Sequence, residues 1–150
     1  MKPGEVVRWQ NCPFFNNSTQ KDRWLICLGT FVVCGKTQQI LMSTTTTKME
    51  EYTSGKSREK NITFVINRSK YSFFTNDCLI DLSLNPIEDV YPSTLEAQSG
   101  NWEMKGSIDQ NDLRDIFNKL VRAESASAKV LNIIKDSLQS IGIQGLAKVK

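Results

Sequence analysis

The feature that most limits what this chain can become is a change of hydrophobic period near residue 107. Before it, apolar residues come in short alternating or continuous runs; after it, they recur every three to four positions. Alternation by two places side chains on opposite faces of a strand, whereas a 3.6 period paints one stripe along a helix. A β-rich body is therefore expected over about 3–106, followed by helices over about 108–142, in a mainly β fold with C-terminal helices (α+β). At 150 residues these parts make a single domain over 1–150, long enough to bury a core without disulfide or metal staples.

Within the β part, 5–9 reads as a strand introduced by Pro3-Gly4, and 24–33 as a longer one interrupted by Gly29. A turn is expected at Gly35-Lys36-Thr37. A third strand begins at Gln39, and the run Thr44-Thr45-Thr46-Thr47 first favours extended backbone, then ends it through its hydroxyls. Further strands are expected at 61–66, 78–82 and 87–91. Several short strands so close together suggest a small barrel, because closure removes exposed edges.

The polar stretch 48–60 reads as a long loop of the kind used as a lid or binding loop. Its Gly55-Lys56-Ser57 imitates the end of a phosphate loop, but the pattern needs glycine where Glu50 stands, which excludes a nucleotide triphosphatase. In the helical part, Asp109 is placed to cap, Asp112 adds negative charge to the first turn, and Ile108 can staple onto Leu113. Leu113, Ile116, Phe117, Leu120 and Val121 share one face. From about Ser127, Val130, Leu131, Ile134, Leu138 and Ile141 form a second stripe, which ends at Gly142 and Gly145. Such stripes fit packing on the β body or against a second copy.

Charge excludes little: Lys+Arg 19 against Asp+Glu 16 permits a polyanionic partner without demanding one. The four cysteines contain no C-x-x-C pair and the chain has no histidine, so a mixed zinc site is not expected and free thiols in a reducing compartment are. No apolar signal core opens the chain, and no run of about 18 apolar residues occurs to span a bilayer. The expectation is a cytoplasmic protein with no membrane partner, and Asn-x-Ser/Thr matches such as those at Asn17, Asn61 and Asn67 are set aside.

The stretch Lys21-Asp22-Arg23-Trp24 leads from a loop rich in turn formers into the apolar run Leu25 to Leu28. Arg23 thus stands at a strand mouth. It is either a solvated charge or, because guanidinium stays charged and offers a planar fork of donors, a phosphate ligand.

The order of these pieces resembles the PemK/MazF family of toxin endoribonucleases from bacterial toxin–antitoxin systems. Gly4-Glu5-Val6-Val7 is similar to the family's opening strand, Lys21 to Leu28 to its Lys-x-Arg strand, and Ile40-Leu41-Met42-Ser43-Thr44-Thr45 to the strand that delivers its catalytic hydroxyl. Phe73 to Leu82 resembles the aromatic-then-Asp approach to the next strand, and Lys105-Gly106-Ser107-Ile108 the lead-in to its helix. Trp24 stands where the family usually has proline, and the second C-terminal helix extends past the minimal pattern. The resemblance implies an SH3-like barrel, a homodimer with single-stranded RNA across the dimer face, and an antitoxin protein that occupies the same groove.

On that resemblance, Arg23 would neutralise charge on the phosphorane, and Thr45, or a neighbour such as Thr44 in the run Thr44 to Thr47, would hydrogen-bond a nonbridging oxygen. No general base is named, since arginine stays protonated and threonine is a poor base. Neither a metal nor a cofactor is expected, because the RNA 2′-hydroxyl is the nucleophile. Phe14, Phe15 and Tyr52 would stack unpaired bases, or else anchor loops or a dimer contact; Lys21, Lys48, Lys56 and Arg58 would track phosphates, or else stay solvated. Two other functions fit the same residues: a catalytically inactive barrel that binds a protein or nucleic acid, and a gyrase-poisoning toxin of related fold.

Overall fold

The computed structural model describes residues 1–14 and 21–150. Strands β1 (Glu5–Cys12), β2 (Lys21–Val33) and β3 (Lys36–Ser43) come first, then β4 (Thr63–Ile66), β5 (Cys78–Asp81) and β6 (Ile87–Val90). A short helix α1 (Pro92–Ala97), strand β7 (Trp102–Ser107), and helices α2 (Gln110–Ala123) and α3 (Ala128–Ser140) complete the fold. It is a mainly antiparallel β structure with C-terminal helices.

Five strands form one antiparallel sheet in the order β6-β3-β2-β1-β7, and β4 and β5 form a separate two-stranded sheet. An isolated bridge pairs Thr46, three residues past the end of β3, with Leu79 of β5. The expected closed barrel is not present among the described residues, since no ladder links the outer strands β6 and β7. The apolar faces find cover from helices instead: α3 lies on β2, and α2 on β4 and the turn after β5.

Alternation divides the large sheet between two cores. Val6, Ile26, Leu28, Ile40 and Met42 face the main core with β4, β5 and the helices. Val7, Trp9, Leu25, Cys27, Leu41 and Val90 face a smaller cluster closed by Phe14, Leu95 and Trp102. A strand buried on both faces must be apolar at successive positions, which is why Leu25 to Leu28 form a continuous run.

Local chemistry sets the joints. Cys34 and Gly35 both have positive φ, +50° and +76°, as a two-residue hairpin turn between twisted strands requires; the turn therefore falls before Lys36, one residue earlier than expected. At Gly29 the β2–β3 ladder is bulged, and a Cβ there would lie 2.9 Å from Ser137 Oγ and 3.3 Å from the Ile134 Cα, so only glycine lets α3 approach this closely. The Ser137 hydroxyl accepts the Thr30 N–H at 3.0 Å, fixing that approach.

The helix starts follow the sequence reading. Asp109 Oδ1 accepts the Asp112 N–H at 2.8 Å, Ile108 and Leu113 enter the main core, and Ser127 caps α3. Residues 67–77 are tied to that same helix start. Lys70 Nζ sits 2.7 Å from Asp109 and 2.8 Å from Asp112, and the Tyr71 hydroxyl donates to Asp112 at 2.6 Å.

Strand β7 and helix α1 were not anticipated. In β7 only half-buried and exposed residues occur, so it lacks a hydrophobic pattern of its own and exists through pairing with β1. Residues 105–107, expected as a helix lead-in, belong to this strand. Among the described residues no helix is long and apolar enough to cross a membrane.

Candidate functional site

Arg23 is the third residue of β2, opposite Trp9 of β1, and is half-buried. Beyond Ser43 the chain leaves β3 but stays attached: Thr44 N–H donates to Trp24 O at 3.0 Å, and Thr45 N–H to Leu79 O at 2.8 Å. The threonine run is thereby drawn along the start of β2 and onto β5. This brings Arg23, Thr44 and Thr45 together at one end of the sheet.

Two depressions meet there. One, of about 420 Å³, is lined by Lys21, Arg23, Trp24, the run Thr44 to Thr47, Lys48, Phe74 and Asn76. The other, of about 510 Å³, is lined by Arg23, Ser43, Thr44, Thr45, Arg58, Asn85 and Glu88. Arg23, Thr44 and Thr45 line both, so they form the wall between the two.

The hydroxyls of the run are not equivalent. Thr45 Oγ1 accepts the Asp81 N–H at 2.7 Å, which fixes its rotamer and leaves its own O–H to donate. Thr46 Oγ1 accepts the Lys48 N–H at 2.8 Å and turns the chain back. Thr44 makes no side-chain hydrogen bond among the described residues. The site therefore presents a guanidinium with two neighbouring hydroxyl donors, a set suited to phosphate oxygens.

Behind the wall lies Asp81, whose residue is fully buried. Its Oδ1 accepts the Ser83 N–H at 3.0 Å and its Oδ2 an Asn61 amide N–H at 2.7 Å. Tyr52 stands close by; burial pushes its phenol up from the ordinary value, an effect the Arg58 hydrogen bond opposes and Asp81 reinforces. Arg58 Nη1 donates to the Tyr52 hydroxyl at 3.1 Å, with its guanidinium 5.8 Å from the ring centroid. Tyr52 thus helps to position an arginine that lines the second depression.

The remaining expected contacts divide. Lys21 and Lys48 line the first depression and Arg58 the second. Lys56 is exposed in a turn, its N–H bonded to Thr53 O at 3.1 Å, and lines neither. Phe14 packs T-shaped on Trp9 at 5.4 Å between centroids and closes the smaller core cluster. Phe15 lies outside the described residues.

Sequence reasoning missed Trp24 and Phe74, whose rings lie 4.9 Å apart at the first depression. It also missed Glu88 at the second. Burial, with Asp89 adding to it, pushes the Glu88 carboxyl up, and Glu88 takes no hydrogen bond or ion pair among the described residues. One signal was available: Glu88 lies two positions from Val90 on a strand, so it shares the face on which Val90 is buried.

The buried cysteines Cys12, Cys27 and Cys78 are not activated as nucleophiles. Burial pushes Cys12 up, Cys27 up to about 12 and Cys78 up to about 11, keeping each thiol protonated near neutrality. Among the described residues no cluster of three His, Cys, Asp or Glu could hold a metal ion. Compared with known protein families and with curated proteins, the chain matches none.

Proposed function

We propose that this protein is a toxin-type endoribonuclease of the PemK/MazF kind, which cleaves single-stranded RNA without a metal. The observation that carries the reading is the shared wall of Arg23, Thr44 and Thr45 between two open depressions. A strand of RNA laid across that wall would set one phosphate against the guanidinium and leave a nucleotide on either side. The open sheet with its two-stranded annex is compatible with an SH3-like barrel opened at one seam. A homodimer and an antitoxin protein in the same groove belong to this proposal.

The chemistry uses the substrate's own nucleophile. The 2′-oxygen forms a bond to phosphorus as its proton passes to solvent, and the bond from phosphorus to the 5′-oxygen breaks as that oxygen takes a proton from solvent, leaving a 2′,3′-cyclic phosphate and a 5′-hydroxyl. Arg23 neutralises the charge that gathers on the phosphorane, and the Thr45 O–H donates to a nonbridging oxygen while the Asp81 N–H holds its lone pair. General acid–base help contributes roughly 10²–10⁴-fold where it exists, so a site that leans on solvent for proton transfer is a slow nuclease.

The test is incubation of the protein and its Arg23→Ala variant with a long single-stranded RNA in EDTA, followed by mapping of the ends. Discrete cuts with cyclic phosphate ends from the wild type, and none from the variant, are expected. If neither folded protein cuts any of several RNAs, the enzyme reading fails and the sheet end is a binding surface only.

A further inference from the structure

The second depression holds groups the cleavage chemistry does not use: Arg58 and Glu88. Glu88 is half-buried, has no partner among the described residues, and shares its pocket with two arginines. A carboxylate so placed is either a proton carrier or an acceptor that awaits donors.

Register decides between these. Leu25 pairs with Ser43, which puts Arg23 level with residue 45, whereas Glu88 pairs with Leu41. The two are thus four residues apart along the strands and two strands apart across the sheet, about 16 Å between Cα atoms at ordinary strand spacings. A general base must come within about 3 Å of the proton it takes, and the 2′-hydroxyl lies beside the phosphate at Arg23. Displaced that far along the sheet but lining the same depression, Glu88 stands at the place of a neighbouring nucleotide's base.

An ionised carboxylate only accepts, and it accepts best from two donors side by side. On the base-pairing edges of RNA, guanine alone presents such a pair, N1–H and N2–H. Adenine and cytosine each set one amino group beside an acceptor, and uracil flanks its single N–H with two carbonyls. Guanine also carries O6 next to N1, an acceptor suited to the arginine on the same pocket.

We propose that the depression lined by Arg58 and Glu88 is a guanine subsite, in which Glu88 accepts the guanine N1–H and N2–H, Arg58 donates to O6, and the adjoining phosphate lies against Arg23 and Thr45. This rests on the RNA reading above and adds to it the base that the site selects.

Binding separates the two. Single strands with 2′-fluoro sugars cannot be cleaved, and a set that differs at one position in a uridine background is titrated by fluorescence anisotropy with wild type and Glu88→Gln. The wild type is expected to bind guanine about ten- to hundredfold tighter than inosine, which lacks the N2 amine, as loss of a bidentate contact implies. Glu88→Gln, offering one donor and one acceptor, is expected to lose that preference and to favour adenine, with an unchanged melting temperature. Equal affinity of the wild type for guanine and inosine, or a guanine preference that survives in Glu88→Gln, overturns the subsite and leaves the nuclease reading standing. Failure of the wild type to bind any strand overturns both.

Discussion

Thr45 offers a perturbation in which the structural and chemical roles of one hydroxyl separate. Its Oγ1 accepts the N–H of Asp81 at 2.7 Å, and Asp81 is wholly buried. Thr45→Val keeps the shape and the β-branch while removing that acceptor, so the Asp81 N–H is left without a partner away from water. An orphaned buried donor costs about 1–3 kcal/mol. For a chain of this size each kcal/mol lowers the melting temperature by about 2–4 °C. Thr45→Ser keeps the hydroxyl and loses one methyl from a half-buried position, so its stability should stay within about 1 kcal/mol of the wild type. Both are read by urea denaturation at pH 7 with thermal melts alongside. In the cleavage assay, Thr45→Val is expected to lose about 10²–10³-fold, the worth of one oxyanion donor, and Thr45→Ser only a few-fold. A valine variant as stable as the wild type would refute the structural role of the bond. A serine variant as inactive as the valine one, while equally folded, would refute the hydroxyl's part in the chemistry.

Two further outcomes concern the frame around the site. Burial, reinforced by Asp112, pushes the Tyr71 phenol up to about 12 from about 10 in an unfolded chain. A raised acid keeps its full stabilising effect below the unfolded value and loses it as pH climbs through the folded one. Stability should therefore fall between about pH 10 and 12, and Tyr71→Phe should flatten that fall in urea midpoints; an unchanged slope would show that the folded chain does not hold the Tyr71 proton more tightly than the unfolded one. At Gly106 a Cβ would lie 2.5 Å from two atoms of the Phe73 ring, which is packed between Tyr71 and Phe74. Gly106→Ala should cost about 1–3 kcal/mol by overpacking and weaken RNA binding through Phe74, whereas unaltered stability would mean the ring moves freely.

What could be read in the sequence was mostly local. Asp109, Ile108 and Leu113 specified the start of α2 with no help from the rest of the chain, since capping and stapling act within one turn. The inner strands announced themselves through Leu25 to Leu28 and Ile40 to Met42, because burial on both faces leaves little room for polar residues. Closure of the sheet was not legible, as a helix and another strand are alternative covers for the same apolar face. The outer strand β7 was hidden for a related reason: its order comes from a partner about a hundred residues earlier in the chain, and its own pattern is half polar. At the candidate site, Arg23 stood out by its place at the head of an apolar strand, and the threonines only through the family resemblance. For Glu88 the spacing from Val90 gave its face, but only the pairing of β6 with β3 carries it to the pocket. Tyr52 was read as a base-stacking ring or a loop anchor, and its hydroxyl accepts from Arg58.

Asp81 does two jobs from one position: its backbone N–H holds Thr45, and its carboxylate holds Asn61 at the end of the segment that carries Tyr52 and Arg58. Both halves of the surface are thus fastened to the same buried residue when the chain folds. A ligand arriving there meets groups whose orientations are already chosen, so little ordering remains to oppose association. Binding should then follow one fast phase limited by encounter, with amide exchange around 43–46 and 79–82 slow before the ligand arrives and little slower after. Release would set the lifetime of the complex, and changes that loosen Asp81 would shorten it without touching any atom of the ligand.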